Sequence, residues 1–122
     1  MKKKILVIED EPIIAEMICI LLEIEGYKVI SLSDEGSVMD KLNDKEVDLV
    51  LLDLNLAGYN GTSVCAYIKG NSDLKHIPVI LVSANHDIEK IKEECGADDL
   101  IKKPFDLTHF IQKVQEYTGA VV

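Results

Sequence analysis

Glu9, Asp10 and Asp53 stand where apolar runs end abruptly in carboxylates, and Ser83 and Lys103 close two further runs. Three carboxylates gathered at one place repel one another, and without compensation at least one is driven toward protonation. A hard divalent cation, Mg2+ or Mn2+, removes that conflict. Mg2+ keeps several waters and takes only one or two carboxylates, which suits Asp10 and Asp53 as direct ligands and Glu9 as a ligand directly or through water. The backbone carbonyl of Asn55, just past Asp53, is placed to add another oxygen. Lys103 brings a point charge for an anion and Ser83 a hydroxyl donor. A carboxylate nucleophile, a metal clamp, an ammonium and a hydroxyl together make a phosphoryl-transfer site.

These residues meet only if the elements carrying them are neighbours. The stretch Val47 to Asp53, VDLVLLD, reads as a strand buried on both faces whose last residue emerges at a sheet edge. Ile5 to Ile8 is a similar strand running into Glu9, Asp10 and Glu11, and Pro12 begins a helix to Glu25 that stops at Gly26. Its buried face is expected to be Ile14, Met17, Ile18, Leu21 and Leu22. Tyr27 to Leu32 reads as a strand, and Asp34 as the cap of a helix holding Val38 and Leu42. After Asp53 a loop with Gly58 and Gly61 turns sharply, and Thr62 is expected to cap a third helix containing Val64 and Ile68. Val79 to Val82 is a fourth strand ending at Ser83, followed by a helix from Asp87 to Cys95 closed by Gly96. Asp98 to Lys102 forms a weaker fifth strand, and Asp106 caps the last helix. Five alternating βα units with short connections imply a parallel sheet covered on both faces. Strand order 2-1-3-4-5 is the common solution and sets the ends of strands one and three side by side.

The stretches LVIEDEP, LVLLDLNLAGYNG, IPVILVSA and GADDLIKKPF resemble the motifs of the receiver domain of bacterial two-component response regulators and run the length of the chain. The resemblance implies a flavodoxin-like doubly wound α/β fold with five strands and five helices, occupying residues 1–122 as a single stand-alone receiver. It implies that Asp53 accepts a phosphoryl group from a phosphohistidine on a sensor histidine kinase or histidine phosphotransfer protein. Glu9 and Asp10 then hold Mg2+, and Ser83 and Lys103 contact the phosphoryl group. Such a chain is a phosphorylation switch acting on a separate effector protein, and it catalyses only its own phosphorylation and dephosphorylation. Ala57 replaces the usual Pro, and Ser83 stands where Thr is as common. Leu100 occupies the switch position where the family usually carries an aromatic ring, so signalling by a swinging ring is not expected.

With 48% hydrophobic and 29% charged residues in 122, one buried core is within reach. A formal net charge of −9, with Lys as the sole strongly basic residue type, argues against nucleic acid or an anionic membrane as partner. No stretch approaches the roughly 20 apolar residues of a membrane span. The Lys-rich start runs into Glu9 after four apolar residues, unlike a signal peptide, and the chain reads as cytoplasmic. Cys19, Cys65 and Cys95 show no metal-ligand spacing and read as small buried hydrophobes, and His76, His86 and His109 as surface residues. On the first helix, Ile13, Ile20 and Ile24 fall outside the expected buried face, marking a docking strip on the helix that this family turns toward its kinase. Other readings of the same residues are a Mg2+-dependent phosphohydrolase, a flavin mononucleotide carrier and a degenerate receiver serving as a scaffold. The first usually needs a second acid where Asn55 stands, and the second a phosphate cradle where Glu9, Asp10 and Glu11 stand. Retention of all five site residues counts against the third.

Overall fold

The computed structural model describes residues 2–33, 35–43, 46–56 and 59–119; Asp34, Ala57 and Gly58 lie outside the described residues. Strands β1 (Lys4–Ile8), β2 (Lys28–Leu32), β3 (Leu49–Leu52), β4 (Val79–Ser83) and β5 (Asp99–Lys102) form one parallel sheet in the order β2-β1-β3-β4-β5. Between and after them run α1 (Pro12–Ile24), α2 (Glu35–Leu42), α3 (Gly61–Gly70), α4 (Ile88–Cys95) and α5 (Leu107–Thr118). This is the flavodoxin-like, doubly wound arrangement expected from the strict βα alternation.

Strand residues alternate between two cores because successive side chains point to opposite faces. Leu6, Ile8, Val50, Leu52 and Leu81 pack under α2, α3 and α4 with Val38, Leu42, Val64 and Ile68. Ile5, Val7, Leu49, Leu51 and Ile80 pack under α1 and α5 with Ile18, Leu22, Phe110 and Val114. The three central strands are buried along their whole length.

Four local expectations are corrected. The buried stripe of α1 is Ala15, Ile18 and Leu22, with Ile14 and Leu21 half-buried, whereas Met17 is 43% exposed and belongs to the outer face. The cap of α3 is Asn60, whose side-chain oxygen accepts from Thr62 N at 2.9 Å. Thr62 therefore lies one residue inside the helix, where its own N–H is one of the orphan donors to be capped. The stretch after Asp53, read as a loop, contains a two-residue antiparallel ribbon, Asn55–Leu56 against Tyr59–Asn60. The central strand is also shorter than VDLVLLD. Val47 is buried but precedes the ladder, and Asp48 turns its carboxylate onto Lys4 N at 2.8 Å. Asp106 caps α5 as expected, accepting from Thr108 N and His109 N.

Candidate functional site

The β1–β3 register pairs Ile8 with Leu52, so the next residue of each strand, Glu9 and Asp53, leaves the sheet beside the other. Asp53 N donates to Ile8 O at 3.0 Å, fixing β3 at its exit. Glu9 and Asp53 are 4% and 5% exposed, far drier than carboxylates usually are, while Asp10 is half-buried. One ligand oxygen from each of Glu9, Asp10 and Asp53 can be chosen so that all three lie within 4.8 Å of one another.

On the other side, β4 and β5 pair Ser83 with Lys102, and Lys103 N donates to Ser83 O at 3.0 Å. Lys103 then reaches back over the edge. Its Nζ donates to Glu9 Oε1 at 2.6 Å and to Asp53 Oδ2 at 3.1 Å. Lys102 points away and pairs with Glu89 at 2.6 Å, as strand alternation predicts.

The electrostatics follow from burial. Desolvation pushes the Glu9 carboxyl above its ordinary range, and Asp53 beside it adds to the rise, against the pull of Lys103. For Lys103 burial alone lowers the ammonium, but hydrogen bonds and charges from Glu9 and Asp53 together outweigh it and raise the value. Counted formally, three carboxylates less one ammonium leave two negative charges on all-oxygen donors. That matches a hard divalent cation in charge and in ligand type. Lys103 compensates the carboxylates without exhausting their lone pairs.

Ser83 is 1% exposed, and its Oγ accepts from Asn85 N at 3.1 Å. Asn85 Oδ1 in turn accepts from Asp87 N at 2.8 Å, at the threshold of α4. Asn55 opens the short ribbon directly beyond Asp53. Leu100 is half-buried against the core on the α2–α3–α4 side. Ile13, Ile20 and Ile24 are 84%, 51% and 74% exposed, so the strip singled out on α1 faces solvent. The three histidines are exposed.

One contributor to the site escaped the sequence reading. Gly61, which the sequence marks only as a turn residue, is where the α3 N-terminus crosses the backbone just past β3. A Cβ there would overlap the Asp53 carbonyl oxygen and stand 2.8 Å from Leu54 Cα. Nothing in the local sequence signals it, because the constraint comes from backbone packed across from it. Cys65 and Cys95, 30 residues apart, meet where α3 packs on α4, and Cys65 Sγ donates to Cys95 O at 3.5 Å. Burial pushes the Cys65 thiol far up, so it is an inert core group.

Residues 5–115 match the response regulator receiver domain family. The chain is 36% identical over 117 residues to the phosphate regulon transcriptional regulatory protein PhoB of Escherichia coli, an alignment covering 94% of this chain and 51% of that protein. It is 34% identical over 117 residues to the DNA-binding response regulator MtrA of Mycolicibacterium smegmatis, covering 94% and 50%. The chain therefore spans about half the length of these relatives. Among solved structures, the receiver domain of the sensor histidine kinase PA1611 from Pseudomonas aeruginosa superposes with a TM-score of 0.87 at 25% identity, covering 98% of this chain and 99% of that one. That structure carries a magnesium ion coordinated in its active-site cleft.

Proposed function

Because this chain belongs to the response regulator receiver domain family, we propose that Asp53 is its phosphoryl acceptor and that residues 1–122 act as one phosphorylation switch in the cytoplasm. The observation that carries the reading is the convergence of Glu9, Asp10 and Asp53 within 4.8 Å, with Lys103 bonded to two of them.

In this reading an Asp53 oxygen attacks the phosphorus of a partner phosphohistidine, the phosphorus–nitrogen bond breaks, and an aspartyl phosphate forms. Glu9, Asp10 and Asp53, with the Asn55 carbonyl, hold Mg2+ or Mn2+, which supplies positive charge for the phosphoryl oxygens. Lys103 already lies 3.1 Å from the acceptor carboxylate, within reach of a phosphoryl group formed there. Ser83, whose Oγ accepts from Asn85 N, donates its hydroxyl hydrogen to a phosphoryl oxygen. Attack of water on phosphorus regenerates the carboxylate and resets the switch. The chain is thus no enzyme with a separate substrate.

Leu100 has no ring to reposition, so the signal travels instead along the Ser83–Asn85–Asp87 hydrogen bonds to the first turn of α4. The donor is a sensor histidine kinase or histidine phosphotransfer protein docking on Ile13, Ile20 and Ile24.

The test is the intact mass after incubation with a small-molecule phosphoryl donor, with and without Mg2+, beside Asp53→Asn. The expected result is a Mg2+-dependent gain of one phosphoryl group that disappears in the variant. A gain retained in Asp53→Asn moves the acceptor elsewhere and overturns the assignment.

A further inference from the structure

Two adjacent lysines at the end of β5 hold different parts of the molecule. Lys103 Nζ holds the carboxylate cluster, at 2.6 Å from Glu9 and 3.1 Å from Asp53. Lys102 Nζ lies 2.6 Å from Glu89 Oε1, in the first turn of α4. Of the ion pairs among the described residues, Lys102–Glu89 is the one that ties α4 to another element, since Lys90–Glu94 lies within the helix. Leu100, two residues back on the same side of β5, packs into the core and offers no polar group for that purpose.

The first turn of α4 is held from two directions. From its own chain it leans on Asn85, whose Oδ1 accepts from Asp87 N at 2.8 Å and whose O accepts from Ile88 N at 3.3 Å; the N-cap Asp87 makes no side-chain cap bond. Asn85 N in turn donates to Ser83 Oγ at 3.1 Å. From the sheet the turn is held by Lys102, the register partner of Ser83 across β4 and β5. Donation of the Ser83 hydroxyl to a phosphoryl oxygen displaces the Ser83–Asn85–Asp87 path toward the cluster. Lys102 opposes that movement at Glu89, just beyond the end of the path.

We propose that Lys102 and Glu89 form a latch, which holds the first turn of α4 in the position seen here and opposes its displacement when Asp53 carries a phosphoryl group. The latch rests on the phosphoacceptor reading of Asp53 and adds the restraint that sets how readily the switch is thrown. By linkage, a contact that biases α4 against moving biases Asp53 against the phosphoryl group by the same factor. Both side chains are exposed, at 63% and 71%, and this limits the bias. Exposed ion pairs shift an equilibrium by no more than about fivefold.

The test is a fluorine NMR titration of the full chain with beryllofluoride, an anion that mimics a phosphoryl group on a carboxylate, at saturating Mg2+. Lys102→Met and Glu89→Gln are each expected to tighten binding about two- to fivefold. The double variant is expected to bind no more tightly than either single one, because one contact is lost in all three, and Lys102→Arg to keep the wild-type value. A plain field effect on an anion predicts otherwise: loss of the cation at 102 weakens binding, and loss of the anion at 89 tightens it. Opposite signs in the two single variants therefore overturn the latch. So do effects that add in the double variant, wild-type affinity in both single variants, or Lys102→Arg binding as tightly as Lys102→Met. Failure of the wild type to bind, or binding undiminished in Asp53→Asn, removes the phosphoacceptor reading and the latch with it. The other outcomes bear on the latch alone and leave that reading intact.

Discussion

At the scale of single residues, the site is a problem of charge held at low exposure. Glu9 and Asp53 are nearly dry, and the ammonium of Lys103 is what makes that tolerable at neutral pH. Gly61 contributes by what it lacks, since the start of α3 and the Asp53 backbone touch at its Cα. Gly61→Ala is expected to cost about 1–3 kcal/mol, the usual range for overpacking where backbone must yield. It is also expected to lower the rate of Mg2+-dependent mass gain, because relief of the clash requires Asp53 to move. Urea denaturation and the mass assay check both, and a variant as stable and as readily phosphorylated as wild type contradicts the argument.

At the scale of elements, β5 and α5 are clasped by one carboxylate. Asp99 Oδ2 accepts from Lys113 Nζ at 2.8 Å and from Tyr117 Oη at 2.9 Å, and Asp99 Oδ1 accepts from Leu100 N at 2.8 Å. Burial alone pushes Asp99 upward, but Lys113 and the other donors together hold it below the ordinary carboxylate range. Its stabilising contribution is therefore complete above the unfolded aspartate value, about 3.9, and is lost as pH falls through the lower folded value. Tyr117 runs the other way. Burial, then Asp99, pushes its phenol up to about 12, so its contribution is complete below the unfolded value and is lost as pH rises to about 12. Lys113 is raised by the same hydrogen bond and is lost on the alkaline side as well. Lys113→Met is expected to make acid unfolding begin at higher pH in circular dichroism. Tyr117→Phe is expected to remove a phenolate absorbance component centred near pH 12. Unchanged curves in both variants would show that the clasp does not form in solution.

At the scale of the molecule, the sheet order is what turns scattered acids into a site. Residues 9 and 53 meet because β1 and β3 are neighbours, Lys103 reaches both from the end of β5, and Ser83 ends β4 beside it. A cation bound there stabilises only the folded chain, since no cluster exists in the unfolded one. Mg2+ is expected to raise Tm, by about 2.7 kcal/mol of stability at about a hundred times its Kd, and a chelator to reverse the shift. Asp10→Asn is expected to raise Tm without cation, by relieving repulsion, and to shrink the Mg2+ increment. Calorimetry with and without Mg2+ checks both signs; an increment undiminished in the variant removes Asp10 from the ligand set.

Much of this was legible beforehand because its causes are local. Runs of branched apolar residues ending in Glu9, Asp53 and Ser83 read directly as buried strands with functional ends, and βα alternation with short connections restricts the topology to a doubly wound sheet. The exposed isoleucines of α1 were legible from helical spacing alone. The misreadings came where two candidates compete within a few ångströms. Asn60 and Thr62 are both good caps, and which backbone N–H was in need of an oxygen depended on where α3 actually began. Met17 fits a buried stripe by type, yet α5 leaves it uncovered. Sequence by itself determined the fold class and singled out the residues proposed for the site, because residue type and periodicity act at short range. Tertiary structure alone decided that Lys103 grips Glu9 and Asp53, that Gly61 must be glycine, and that Cys65 lies against Cys95. Those facts depend on distances between residues 30 to 94 positions apart or on backbone crossing from another element, and only the packed chain sets them.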